Sequence, residues 1–200
     1  MIKILLIFTT LIFQQNNSKY SNDRQDLKKA YFASGCFWCV EGIYESLKGV
    51  KKVDSGYSGG FTKNPTYYQV MSGSTGHAEV VEVVYDPNLI EFKTLVKVFF
   101  GSHDPTTLNR QGPDLGTQYR SIAFYSSKKE ELIIRNEIQN LLKNKVYNKI
   151  TTQVLPFKKF YKAESYHQDY KKKNPNDLYI MRVSNPRIKE FKIDFKDLIK

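Results

Sequence analysis

The run A-E-V-V-E-V-V-Y at Ala78–Tyr85 is the clearest β-strand signal in the chain, and its flanks limit what the chain can fold into. Its valines suit a pleated, buried surface. Upstream, Ala30-Tyr31-Phe32-Ala33 reads as a short buried strand that Ser34-Gly35 ends. Val40, Ile43, Tyr44 and Leu47 then fall at helical spacing, with Gly49 as the stop, and residues 50–57 read as a strand. Downstream, Asp86-Pro87 opens a helix with Leu89, Phe92, Leu95, Val96 and Phe99 on one face. A strand is expected over 119–125, an amphipathic helix over 127–145, a last strand over 151–155 and a short helix around 165–172. Strands alternating with helices imply one mixed α/β domain. Two stretches, 56–68 and 102–116, read as long loops dense in unusual polar residues. Loops of that length in a compact domain usually carry function.

Composition removes several classes. The chain has 200 residues and 14% aromatics, which argues for a buried core and against disorder. Two cysteines cannot build a disulfide scaffold. They cannot make a four-ligand zinc site either, because His77, His103 and His167 are isolated from one another. No phosphate-cradling glycine loop or dinucleotide fingerprint occurs, so neither a metal nor a cofactor is expected. The formal net charge is +11, and residues 151–200 hold twelve Lys and Arg against six Asp and Glu. The lysines are scattered among acids, so an anionic envelope surface or simple solubility explains them better than nucleic acid, which is not an expected partner.

The first residues read as an export signal. Lys3 precedes a mostly apolar run from Ile4 to Phe13, and a polar stretch follows it. That run is too short to span a bilayer, which needs roughly 20 apolar residues. Residues 1–22 are therefore taken as a secretory signal and linker, and 23–200 as one domain. The expected location is periplasmic or envelope, with the cytoplasm as the alternative, and a monomer is expected.

Gly35-Cys36-Phe37-Trp38-Cys39 is the chemically distinctive segment. Cys36 falls between a strand end and a helix start, where backbone N–H groups favour an anion, so a lowered thiol pKa is expected. Cys39 lies one helical turn on and can reach the Cys36 sulfur. The alternatives are half of a zinc site or a structural disulfide, and so short a loop would stabilise little. Phe37 and Trp38 are either core residues or an apolar wall for a small methyl-bearing group. Three polar loops precede further elements: Asn64-Pro65-Thr66-Tyr67-Tyr68, Gly73 to Glu79, and Gly112 to Arg120. Glu79 is either a solvated edge residue or a general acid whose proton burial would retain. Tyr67 and Tyr119 taken singly are ordinary packing candidates in a chain with fourteen Tyr. Tyr166-His167-Gln168 reads as a structural polar cluster. The residues alone stop at a cysteine redox enzyme or thiol reductant with an acid nearby.

G-C-F-W-C-V-E, G-Y-S-G-G, N-P-T-Y, T-G-H-A-E-V-V, Y-D-P, D-P-T, G-T-Q-Y-R-S and Y-H-Q-x-Y, in that order, resemble the A class of peptide methionine sulfoxide reductases. The resemblance runs from about residue 29 to 175. It implies an α/β (α+β) two-layer sandwich with a mixed sheet, a ferredoxin-like core, long active-site loops and an extended C-terminal tail. It implies reduction of the S epimer of methionine sulfoxide, free or in oxidised proteins, with a thioredoxin-like partner as reductant. Carried over residue by residue, it makes Cys36 the nucleophile and Glu79 the proton donor to the sulfoxide oxygen. Tyr67 and Tyr119 would hydrogen-bond that oxygen, Asp114 would orient the substrate's polar end, and Phe37 and Trp38 would receive its methyl group. Relatives often have glycine where Cys39 stands and resolving cysteines in a C-terminal tail. The tail from Thr151 holds none, so the resemblance leaves Cys39 to resolve the Cys36 sulfenic acid. The competing readings are a thioredoxin-like thiol–disulfide oxidoreductase and a basic binding module.

Overall fold

The computed structural model describes residues 26–200, so the expected signal lies outside the described residues. A six-stranded mixed sheet runs β7-β6-β1-β3-β2-β8. Its centre is built from β1 (Lys28–Ala33), β2 (Val50–Ser58) and β3 (Ala78–Tyr85), with β3 antiparallel to both neighbours. β6 (Ile122–Tyr125) lies antiparallel to β1, and β7 (Gln153–Pro156) runs parallel to β6. β8 (Tyr161–Lys162) closes the far edge on β2. A separate two-stranded ribbon joins β4 (Arg110–Gln111) to β5 (Asp114–Leu115). Two β-α-β halves give the inner order β6-β1-β3-β2, which is the ferredoxin-like arrangement.

Helices line one sheet face: α1 (Phe37–Glu45), α3 (Phe92–Gly101), α4 (Lys128–Lys143) and α6 (Asn185–Asp194). Two short helices, α2 (Tyr67–Met71) and α5 (Tyr170–Lys173), sit in connections. On that face Phe32 is fully buried and stacks against Tyr44, Phe99 and Phe92 at centroid distances of 5.2, 5.4 and 6.2 Å. Phe32→Ala is expected to cost about 3–5 kcal/mol of unfolding free energy, checked by urea titration. The other face is thinner. Tyr31, Val80, Ile122 and Phe124 are buried there under Leu155, Phe157 and Phe160. Phe157 stacks on Tyr31 at 3.7 Å.

The sequence signals place the main elements within a few residues, but the expected loop 102–116 carries the β4–β5 ribbon, β8 follows the strand expected to be last, and other differences are local. α2 begins inside the expected loop 56–68. Thr66 caps it, accepting from the Gln69 amide at 3.4 Å, while the Gln69 side chain accepts from the Thr66 amide at 3.0 Å. Asp86-Pro87 forms a turn, and helix α3 starts only at Phe92. The tail beyond α5 is helical: a π-helical turn at Ile180–Ser184 runs into α6, which packs on α1. No helix among the described residues is long and apolar enough to cross a membrane.

Candidate active site

Cys36 stands at the N-terminal cap of α1, just past the end of β1. The turn that places it needs Gly35. Its φ is +87°, and a Cβ there would lie 2.6 Å from the Gln111 side chain. The amides of Cys39 and Val40 both donate to the Cys36 carbonyl, at 3.1 and 3.3 Å, so the first turn of α1 closes over the nucleophile position. Both cysteines are free thiols and buried, and the Cys39 Sγ is hydrogen-bonded to the Ser184 Oγ at 2.8 Å.

Glu79 reaches the same turn from β3. Register pairs it with Tyr57 of β2, and only 2% of it is exposed. One carboxyl oxygen accepts from the Phe37 amide at 2.9 Å. Burial pushes the Glu79 carboxyl up to about 8 against that hydrogen bond, with Asp114 and Cys39 adding to the rise. This excludes the solvated-edge reading, and Glu79 holds its proton at neutral pH.

Cys36 departs from expectation. Its thiol is raised, not lowered: burial is the main cause, and the Cys39 sulfur and Glu79 act in the same direction. The physical reason is visible in the α1 cap. The Phe37 amide, which would have stabilised a thiolate at position 36, is spent on Glu79. Cys39 moves the other way, down to about 6. The Cys36 hydrogen bond is the chief cause, and Arg187, Ser184 and Tyr179 assist against burial. The two sulfurs thus share one proton that rests towards Cys36.

Tyrosines roof the pocket. Tyr67 and Tyr119 both lie within electrostatic reach of Cys36 and Glu79, and burial raises both hydroxyls, Tyr67 to about 12. Each therefore stays a donor at neutral pH. Glu164 fixes α2 against β2. Its carboxylate accepts from the Tyr67 amide at 2.9 Å and the Tyr57 hydroxyl at 2.8 Å. Asp114 lies on β5 and accepts from the Tyr179 hydroxyl at 2.6 Å. The nearby Tyr179 hydroxyl favours the ionised form of both cysteines. Trp38 is partly exposed and stacks on Tyr170 at 3.7 Å. Its indole N–H donates to His167 Nδ1 at 3.2 Å, which leaves the His167 proton on Nε2. Phe37 is 1% exposed and packs between His167 and Tyr57, so it is core as well as pocket floor.

All eight residues singled out in the sequence converge here: Cys36, Cys39, Glu79, Tyr67, Tyr119, Asp114, Phe37 and Trp38. Tyr179, Ser184, Arg187 and Glu164 also contribute, and no motif pointed to them. A separate cavity of about 200 Å³ lies on the opposite sheet face, lined in part by Phe61, His77, Phe124 and Tyr161. His77 there is already bonded to the Gly60 amide and the Thr62 carbonyl, so it brings no spare reactive group.

The family model described as peptide methionine sulfoxide reductase matches residues 28–198. The chain belongs to that family. A peptide methionine sulfoxide reductase MsrA of Deinococcus radiodurans is 44% identical to this reductase over 188 residues, spanning 94% of this chain and 91% of the relative. One of Sulfolobus acidocaldarius is 45% identical, over 86% of this chain and 97% of the relative. The reductase also resembles the reduced form of Mxr1 from Saccharomyces cerevisiae, with a TM-score of 0.71 at 38% identity over 76% of this chain and 88% of that one. Mxr1 solved in complex with Trx2 matches with a TM-score of 0.52 at 26% identity, over 76% of this chain and 91% of that one. Membership supplies the fold class and an oxidoreductase acting on methionine sulfoxide, and it displaces the thiol–disulfide oxidoreductase alternative.

Proposed function

We propose that the protein reduces the S epimer of methionine sulfoxide, free or in damaged proteins, through a Cys36 sulfenic acid and a Cys36–Cys39 disulfide. The observation that carries this reading is a buried Glu79 bonded to the same helix cap that bears Cys36, where burial raises its carboxyl. A sulfoxide oxygen is a poor leaving group until it is protonated. Glu79 supplies that proton, and the Tyr67 and Tyr119 hydroxyls stabilise charge on the oxygen.

The shared thiol proton completes the step. As substrate enters, the proton passes from Cys36 to Cys39 and bares the Cys36 sulfur for attack. The sulfoxide sulfur takes two electrons from Cys36, methionine leaves, and Cys36 becomes the sulfenic acid. Cys39 then attacks that sulfur. An S–S bond forms, the S–OH bond breaks, and the departing hydroxide takes the Cys39 proton as water. Trp38 and Phe37 supply the apolar wall for the methyl group, and Asp114, held by Tyr179, faces the polar end of the substrate.

The test is a single-turnover assay of the pre-reduced protein on the two epimers of a dabsylated methionine sulfoxide with no reductant added. Methionine from the S epimer and none from the R epimer is expected; equal rates on both would overturn the assignment. Cys39→Ser should yield one methionine per chain and then stall as the sulfenic acid, which dimedone captures. Continued turnover of that variant with thioredoxin alone would remove Cys39 from the resolving role. The solved Mxr1–Trx2 complex supports a thioredoxin-like reductant for this disulfide. The apolar run at residues 4–13 supports export, and N-terminal sequencing of the mature protein checks it.

A further inference from the structure

The helical tail brings two polar side chains to the cysteine turn, Ser184 and Arg187. Ser184 is fully buried, between Ile180 and Ile188 on an otherwise apolar helix face. A hydroxyl in such a place destabilises the fold unless it is paired. Its Oγ is hydrogen-bonded to the Cys39 Sγ at 2.8 Å. One turn on, Arg187 is fixed from behind. Its Nε donates to the Ser102 carbonyl at 2.8 Å and its Nη2 to the Ser34 carbonyl at 2.9 Å. Those carbonyls close α3 and β1, directly behind the cysteine turn. A rigid guanidinium is thereby held behind the cysteine turn, its Nη1 3.5 Å from where a Cβ on Gly35 would lie, in a buried setting where a cation acts more strongly than it would in water.

We propose that Ser184 and Arg187 are positioning residues that hold negative charge on the Cys39 sulfur, so that Cys39 accepts the Cys36 proton before attack and later supplies the second sulfur of the disulfide. The proposal rests on Cys39 being the resolving cysteine. The first half-reaction draws on that anion as the proton acceptor, and the second on the thiol it has become. In the first, Cys39 gains a proton as Cys36 is bared. In the second, that proton leaves in the water as Cys39 sulfur is oxidised and Cys36 sulfur reduced to the disulfide level. The titratable and charged groups facing Cys39 among the described residues are Cys36 on its own turn, Glu79 from β3, Tyr179 before the Ile180–Ser184 turn, and Arg187 from α6. Of these only Arg187 is a fixed cation. The lowering of the Cys39 thiol by Arg187 and Ser184 agrees with the geometry.

The experiment measures two pH profiles on the full-length protein. In a Cys36→Ser background, the thiolate absorbance of Cys39 is titrated with and without Ser184→Ala, Arg187→Met and Arg187→Lys. That background removes the Cys36 hydrogen bond equally from every variant. Ser184→Ala and Arg187→Met should each raise the Cys39 midpoint by about one unit, the scale of one charge-assisted hydrogen bond. Arg187→Lys, which keeps the charge, should restore most of the shift. With Cys36 present, the same variants should move the rising limb of the single-turnover profile to higher pH and leave the falling limb of Glu79 where it was. A loss of packing would move both limbs or lower the plateau alone, and either result overturns the proposal. Unmoved midpoints, with Cys39→Ser still stalling after one turnover, also overturn it and leave Cys39 as the resolver. Continued turnover by Cys39→Ser would instead refute the reading beneath it.

Discussion

Cys36→Ser is expected to remove sulfoxide reduction by at least about four orders of magnitude, the scale seen when a catalytic nucleophile is deleted. A serine oxygen cannot take the place of sulfur here. Its proton is held far more tightly than a thiol's, and it has no stable state equivalent to a sulfenic acid. The side chain differs by one atom at a residue only 6% exposed, so packing is almost unchanged. The fold should survive, and far-ultraviolet circular dichroism alongside the stereospecific assay separates lost chemistry from lost structure. Activity within tenfold of the parent would end the mechanism.

Glu79→Gln should slow the first half-reaction by about 100- to 1,000-fold, the range of a positioned general acid. The amide keeps the shape, and its oxygen can still accept from the Phe37 amide, so the α1 cap is retained. What it loses is an acidic proton. The parent profile is expected to rise as the cysteine pair ionises near 6 and to fall as Glu79 ionises near 8. The variant should lose the falling limb. Stability carries the same signature. The folded carboxyl binds its proton up to about 8, whereas an ordinary glutamate releases it near 4.5. Between those values the native state holds more protons than the unfolded one, so the Glu79 contribution is full below 4.5 and lost as pH rises through about 8. Urea titrations across that window should fall for the parent and flatten for Glu79→Gln.

The sequence carried the sheet and the chemistry unequally. Valine content located β3 and helical spacing located α1, because both signals act locally. The capping box at Thr66 was too short a signal to separate α2 from its loop. Tyr179, Ser184 and Arg187 were illegible because their partners lie far away along the chain, 145 residues apart for Ser184 and Cys39. A serine buried on a helix face carries no periodic mark. The ionisation of Cys36 was misjudged because helix position argues for a thiolate, while burial and the diversion of the Phe37 amide to Glu79 argue against one. Only the packed structure shows which of these wins. The proton on Glu79 was not legible either, since the residues left a solvated edge and a general acid equally open and only its burial decides between them.

The central claim is that oxygen leaves the substrate by way of the sulfur at position 36 and the proton at position 79. The most direct test reacts Cys39→Ser protein with one equivalent of a methionine-S-sulfoxide peptide and weighs the digested fragments by mass spectrometry, beside the Cys39→Ser Glu79→Gln double variant. The account predicts one methionine per chain, a dimedone adduct confined to Cys36, and both suppressed together in the double variant. Methionine released while Cys36 remains an unmodified thiol, or an undiminished yield rate without the Glu79 carboxyl, would contradict it.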